Sequence, residues 1–281
     1  MSQNELERPP ISWFQYSNLG GISPYFRQKR RSSRLHRVST SGSTELDLKL
    51  DAEPGFDYKS ATVLGISFPK GGMLRARKVV TRSRARSTIK YPSWKNSRMC
   101  QAESPNECNA FRLLDSDPTV GRFSEQPCEI RFGDGRFVLR HFPDIMAEFG
   151  DEKRLIEVKT DEDAEKEEVQ QRTVLMTREL PRFGYSYVLM KASELALQPR
   201  LSNLKQILHF SRYNPTEWDY ELIREIHHRR GGLVWNEACT GAYGPRGCHI
   251  LCNLVLRGKL SIDLHAPWSS ETQFHPTEGA L

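Results

Sequence analysis

The run from Gln126 to Lys159 leaves this chain the fewest ways to fold. Three stretches rich in apolar residues, Gln126–Phe132, Arg136–Phe149 and Arg154–Lys159, are separated by Gly133-Asp134-Gly135 and by Gly150-Asp151. Short glycine-bearing turns reverse a chain within a few residues, so successive stretches become antiparallel neighbours and the spacing predicts a three-stranded meander. In the last stretch Leu155, Glu157 and Lys159 fall on one side and Ile156 and Val158 on the other, because strand side chains alternate. A carboxylate and an amine therefore project together. The preceding strand carries Pro143-Asp144, which the Gly150-Asp151 turn folds back beside Glu157, so two carboxylates and a lysine are expected in one patch.

Helical patterns flank the meander. Ser104-Pro105-Asn106-Glu107 supplies an N-cap, a proline at the first helical position and a glutamate at the third, ahead of Phe111, Leu113 and Leu114. Asp117-Pro118 ends that helix. Asp163–Leu180 is charged on one face and carries Val169, Thr173, Leu175 and Met176 on another, and Tyr185–Met190 is a short apolar strand. The predicted order is α-β-β-β-α-β, an α/β fold with a mixed sheet. A linking helix over Leu201–Tyr213 is followed by helices at Trp218–His228 and Leu233–Thr240, split by Gly231-Gly232. A third helix runs from Gly244-Pro245 to Gly258, and Lys259–Leu264 alternates like a strand. Three short helices and a strand suggest a winged-helix domain over 214–281, separable from a core over 59–213 and available to DNA or a protein partner. Residues 1–58 mix Pro, Ser, Gly and Arg without periodicity and read as a mostly disordered basic arm. A length of 281 residues, 37% of them hydrophobic, suffices for that plan.

Charge is distributed unevenly. The net charge is +6 and the isoelectric point near 9.0. From Lys59 to Ala102 there is no acidic residue, whereas Arg75, Arg77, Lys78, Arg82, Arg84, Arg86, Lys90, Lys95 and Arg98 all occur. A solvated face normally mixes signs, so this one-sided stretch points to the phosphates of double-stranded DNA. Six scattered cysteines make no secreted disulfide framework and read as thiols, with Cys239, Cys248 and Cys252 as small buried helical residues rather than zinc ligands. No apolar run approaches the roughly 20 residues of a membrane span, and Met1–Ile11 lacks the apolar core of a signal peptide. A cytoplasmic location is expected, on the bacterial nucleoid through DNA.

The patch at Asp144 and Glu157 suits a hard divalent cation. Mg²⁺ takes one or two carboxylates, a backbone carbonyl and waters, leaving positions for phosphate oxygens. Asp144 and Glu157 offer the carboxylates, Val158 the carbonyl, and Glu107 a third carboxylate from the first helix. Lys159 is placed to stabilise charge at phosphorus, with a role as base if its neighbours lower its pKa. Each residue also has an ordinary reading. Glu107 stands where a capping-box glutamate sits, Asp144 at a strand start, and Lys159 at a solvated strand end. Gln126 either orients a water or phosphate or closes a strand-end hydrogen-bond network. His141 reads as a packed imidazole, and the acidic cluster from Asp161 to Glu168 as the exposed start of a helix.

His141-Phe142-Pro143-Asp144, followed thirteen residues after the aspartate by Glu157-Val158-Lys159, resembles the PD-(D/E)xK nuclease signature. Arg77-Lys78-Val79-Val80, Tyr91-Pro92-Ser93, Glu103-Ser104-x-x-Glu107, Leu113-Leu114, Asp117-Pro118-x-Val120, Glu125-Gln126-Pro127 and Leu201-Ser202-Asn203-Leu204 are similar, in order and spacing, to the TnsA-like nuclease domain of heteromeric cut-and-paste transposases. The similarity spans about Arg75 to Tyr213. It implies a restriction-endonuclease-like core using Mg²⁺ or Mn²⁺, with Glu107, Asp144, Glu157 and Lys159 at the catalytic positions. Some members carry glutamine at the position of Glu157. It also implies partners, a DDE-type transposase subunit and a regulatory ATPase. A stand-alone restriction or repair nuclease and a non-catalytic DNA-binding factor are the two rival readings.

Neutralising three arginines of the Arg75–Arg98 stretch is expected to weaken binding to all duplexes alike. The slope of log affinity against log salt should fall by about 0.9 per lost phosphate contact. An unchanged slope in a fluorescence titration over salt would refute the phosphate reading.

Overall fold

The computed structural model describes residues 55–70, 75–76 and 89–277, and these form a mixed α/β structure with four sheets. The arm over 1–54 lies outside the described residues. Its expected end at 58 moves earlier, because Phe56 and Tyr58 are buried edge-on to each other and against Phe132.

Strand β1 (Thr62–Ser67) and the hairpin of β2 (Ile89–Ser93) and β3 (Arg98–Ala102) precede helix α1 (Pro105–Ser116). The cap expected at Ser104 is present, its hydroxyl accepting the Glu107 N–H at 3.2 Å. Next come β4 (Arg122–Glu125), β5 (Glu129–Gly133), β6 (Val138–His141), β7 (Ile145–Phe149) and β8 (Glu152–Lys159). The β5–β6 turn needs its glycine: a Cβ on Gly133 would lie 2.7 Å from the Phe137 carbonyl. Asp134 completes the turn by accepting the Arg136 and Phe137 N–H groups at 2.9 Å each.

The expected single strand Arg136–Phe149 is two strands in two sheets. β6 pairs with β5 in the sheet β1-β5-β6, and β7 pairs with β4 and β8 in the sheet β4-β7-β8-β9. Pro143 falls between them; it has no N–H to donate to a ladder, and there the chain leaves one sheet for the other. The helix expected over Asp163–Leu180 is likewise divided, into α2 (Asp161–Ala164), α3 (Glu167–Glu179) and a 3-10 turn, Leu180–Phe183. Strand β9 (Tyr185–Lys191) then runs parallel to β8.

The sheet β4-β7-β8-β9 separates two apolar clusters, and the alternation along β8 decides which side chain enters which. Leu155 joins Leu175, Met176 and Tyr187 with the β1-β5-β6 sheet, whereas Ile156 and Val158 join α1. Short α4 (Ala192–Leu195) leads to α5 (Arg200–Phe210), then α6 (Glu217–Arg230), β10 (Leu233–Val234), α7 (Trp235–Cys239), α8 (Gly247–Leu256), β11 (Leu260–Ser261) and β12 (Gln273–Pro276). The last three strands form an antiparallel sheet in the order β10-β12-β11. Leu233 and Val234 are strand rather than helix start, and β12 was not foreseen.

The described residues after 213 do not have a core of their own. Ile223, Trp235, Ile250, Leu254 and Phe274 belong to the same cluster as Phe111, Ile156 and Leu204. Polar side chains seal the junction: Asn253 donates to the Ser211 and Tyr213 carbonyls at 2.9 and 2.8 Å, and Asn203 to those of Leu264 and Ala266 at 2.9 and 2.8 Å. A boundary at 213/214 is therefore one of sequence pattern, and a cut there would pass through shared core. No residue of α8 is exposed. No described helix is long and apolar enough to cross a membrane. All six cysteines are free; Cys252 is buried as expected, but Cys239 is exposed.

Asn253→Ala is expected to leave two carbonyls without donors, at a cost of about 2 kcal/mol or more. The corresponding fall in Tm is roughly 4–8 °C for a chain of this size, read by calorimetry. An unchanged Tm would show that the two halves are not joined there.

Candidate active site

Strand register brings the candidate residues to one end of the central sheet. Glu125 pairs with Ile145, and Ile145 with Ile156. One step further along the same ladders stand Gln126, Asp144 and Glu157. The Gln126 N–H donates to the Asp144 carbonyl at 2.7 Å, and the Val158 N–H donates to Asp144 Oδ2 at 2.8 Å. Helix α1 brings its first turn, with Glu107, to the same place. A cleft of about 470 Å³ is lined by Glu103, Glu107, Gln126, Asp144, Glu157, Val158 and Lys159, and also by Arg140, His141 and Arg172.

The two sheet carboxylates differ in environment. Burial pushes the Asp144 carboxyl well above the usual carboxylate range, and the charges of Glu157 and Glu107 push it further. Burial acts on Glu157 in the same sense, but His141, Lys159 and Arg172 outweigh it and hold Glu157 below its ordinary value. His141 is itself pulled down to about 4 by burial and is neutral at physiological pH, so Lys159 and Arg172 supply the balancing charge. Lys159 is ion-paired with Glu157 Oε1, and Arg172 Nη2 lies 3.7 Å from the same oxygen. The other oxygen, Oε2, is buried and has no hydrogen-bond donor, with His141 Nε2 at 3.5 Å. Although burial lowers Lys159, Glu157 and Asp144 raise it on balance. The amine therefore stays protonated, and the role of base considered for it loses its condition.

Glu107 keeps its capping duty while lining the cleft. Its Oε2 accepts the Glu103 N–H at 2.9 Å, its Oε1 the Ser104 hydroxyl at 3.0 Å, and burial pushes its carboxyl up. Among the described residues no three His, Cys, Asp or Glu side chains are already grouped to hold a metal ion. Both oxygens of Glu107 are engaged by the cap.

Arg172 was not foreseen, whereas His141 is packed, as expected from the sequence. Arg172 sits on the stripe of α3 that holds Val169, Leu175 and Met176, and a charge on a buried stripe was the available signal. Its Nε is buried without a partner. His141 lies in contact with Tyr187, Nε2 to hydroxyl 2.9 Å.

The basic residues divide. Arg75 and Arg98 are turned onto buried Glu125, with Nη2–carboxylate distances of 2.8 and 2.7 Å. Burial raises Glu125, but these hydrogen bonds outweigh it and keep the carboxylate ionised. Lys95 packs its ammonium 5.7 Å above the Trp94 ring, and burial holds it below the usual lysine range. Lys90 is exposed. Arg77, Lys78, Arg82, Arg84 and Arg86 lie outside the described residues.

Compared with known proteins, the chain matches no family model and no curated protein.

The raised carboxyl of Asp144 has a consequence for stability. A group whose folded pKa exceeds its unfolded value of about 3.9 stabilises the fold when protonated, and that contribution is lost as pH rises through the folded pKa. Asp144→Asn removes the ionisation and keeps an acceptor for the Val158 N–H. In EDTA at pH 7.5 the variant is expected to melt above the wild type, read by calorimetry. The gap should narrow toward pH 4; a variant that melts lower at pH 7.5 would contradict this account.

Proposed function

We propose that this chain is a divalent-cation-dependent DNA endonuclease of the PD-(D/E)xK kind, hydrolysing phosphodiester bonds. The observation that carries the reading is the meeting of Asp144, Glu157, Lys159 and Glu107 in one cleft, where Glu157 Oε2 is buried with no donor. A buried carboxylate oxygen without a donor costs stability, and a cation removes that cost. The residues present fit such an ion: Asp144, Glu157 and the Val158 carbonyl would hold it, with Glu107 released from its cap. Mg²⁺ or Mn²⁺ there would polarise a phosphate oxygen and make a bound water more acidic.

The chain's own groups do the rest. Lys159, kept charged by Glu157 and Asp144, donates to a non-bridging phosphate oxygen as negative charge grows there. Arg172 holds a second positive charge against Glu157, so that carboxylate stays ionised. His141, neutral and in contact with Tyr187, walls the cleft without adding charge. Duplex DNA is held by phosphate contacts from the basic stretch before β2. That stretch is flanked by Ala76, whose N–H is bonded to the Gln126 carbonyl at 2.9 Å, and by Ile89, opposite Ala102 beside the cleft residue Glu103.

In this reading the central sheet with α1 and α3 is a restriction-endonuclease-like core. The helix-strand-helix-helix-strand-strand order of α6 to β12 is a winged-helix-like unit. Because only Cys248 and His249 of α8 are partly exposed, it has little polar face to lay in a groove, and that unit serves contacts other than base reading by α8. The similarity to TnsA-like domains extends the proposal to cutting at transposon ends beside a DDE-type transposase subunit and a regulatory ATPase.

With Mn²⁺ or Mg²⁺, Asp144→Ala is expected to abolish both cation binding by calorimetry and cleavage of plasmid and transposon-end duplexes. Lys159→Ala should keep cation affinity equal or slightly higher while cleavage falls about 10²-fold or more. Cleavage that persists in excess EDTA, or a Lys159→Ala protein cutting at the normal rate, overturns the mechanism. Preference for transposon ends over other duplexes separates the transposition reading from a stand-alone nuclease.

A further inference from the structure

Gln126 is held in a conformation that its side chain disfavours. Its φ of 44° lies in the left-handed region, where residues with a Cβ are uncommon, and Pro127 follows, which restricts the preceding residue to extended conformations. Such strain persists where the surroundings over-determine it, and it concentrates at functional sites. Three hydrogen bonds fix the residue. Its N–H donates to the Asp144 carbonyl at 2.7 Å, its carbonyl accepts the Ala76 N–H at 2.9 Å, and Nε2 donates to Glu103 Oε1 at 2.7 Å. The last contact sets the amide's orientation, with its nitrogen toward the Glu103 carboxyl oxygen.

The remaining atom, Oε1, is left without a donor. It is buried, and its residue, only 6% exposed, is one of those lining the cleft. Glu157 Oε2 is a second buried acceptor without a donor in the same cleft. A chain corner alone accounts for neither feature: glycine would make it without strain, and a buried carbonyl without a donor lowers stability. Any donor that reaches so enclosed an acceptor has to be small, and water is the smallest donor that hydrolysis supplies.

We propose that Gln126 orients the attacking water, its Oε1 accepting one of that water's hydrogens. This rests on the endonuclease reading above. In the reaction the water oxygen bonds to phosphorus and the bond from phosphorus to the leaving sugar oxygen breaks. One proton passes from the water to solvent, and one from solvent reaches the sugar oxygen. The amide neither gains nor loses a proton, so it directs a lone pair at phosphorus without acting as base.

Two full-length variants test this. Gln126→Gly removes the acceptor and suits the positive φ. Gln126→Asn retracts the acceptor by one methylene, and asparagine is among the side chains that best tolerate this region. Both are measured for Tm in EDTA, for duplex affinity in Ca²⁺, and for single-turnover cleavage in Mn²⁺ across pH. The expected result is a Tm unchanged or higher, affinity within about twofold, and a rate lower by about 10-fold or more, since a misplacement near 1 Å can lower a rate 10²-fold. The pH–rate profile should keep its shape. Cleavage at the wild-type rate in both variants overturns the inference and leaves the endonuclease reading standing. A fall in Tm in both overturns it whatever the rate, because the amide then serves the fold. Wild-type protein inert toward DNA in Mg²⁺ and Mn²⁺ overturns the endonuclease reading and this inference with it.

Discussion

Asp144 ties three strands at the point where the chain passes from one sheet to the other. Its carbonyl accepts the N–H of Gln126 at the end of β4, and its carboxylate accepts the N–H of Val158 in β8. Pro143 before it can donate to neither ladder, so the turn from β6 to β7 depends on these two bonds. Everything in the cleft is positioned from there: Gln126 by its bond to Asp144, Glu157 and Lys159 by the register of β8, and Arg172 by packing α3 on the same face of the sheet. Burial also disfavours that carboxyl as an anion, so structure and candidate chemistry compete at a single residue.

Carboxylates elsewhere in the core show what a structural acid looks like in this protein. Asp115, fully buried in α1, accepts from the Tyr91 and Ser93 hydroxyls and from the Trp94 and Lys95 N–H groups, at 2.7 to 2.9 Å. It thereby fastens the β2–β3 hairpin to the helix. Glu125 is met by two guanidinium groups. Both are saturated, as buried polar groups generally are. Glu157, 3% exposed, keeps one oxygen without a donor, and Gln126 keeps its amide oxygen likewise. Two residues lining the cleft thus hold buried acceptors without donors, which Asp115 and Glu125 do not.

The residues after 213 contribute to the same core rather than standing beside it. Helix α8 lies between α5 and α7 with its apolar side chains buried, and Asn203 and Asn253 satisfy carbonyls across the junction. Buried amides of this kind specify one docking geometry, because any other arrangement leaves carbonyls without donors. The C-terminal helices thus brace α1 and α5 from behind, and α1 carries Glu107 and the cap at the rim of the cleft.

Local order along the chain determined a good deal. The period-two pattern of β8 put Glu157 and Lys159 on one side of a strand, the Ser104 cap started α1, and the Gly150-Asp151 turn laid Asp144 next to Glu157. These features depend on neighbours a few residues apart, which a sequence displays directly. Other features depended on partners far away in the chain. The break between β6 and β7, the turning of Arg75 and Arg98 onto Glu125, the entry of Arg172 into the cleft and the strain at Gln126 each need a contact between segments that pattern alone does not pair. Whether a charge faces solvent, a buried partner or an empty acceptor is settled by which surfaces the fold brings together, and that choice belongs to the tertiary structure because burial and hydrogen-bond satisfaction are properties of the whole packed chain.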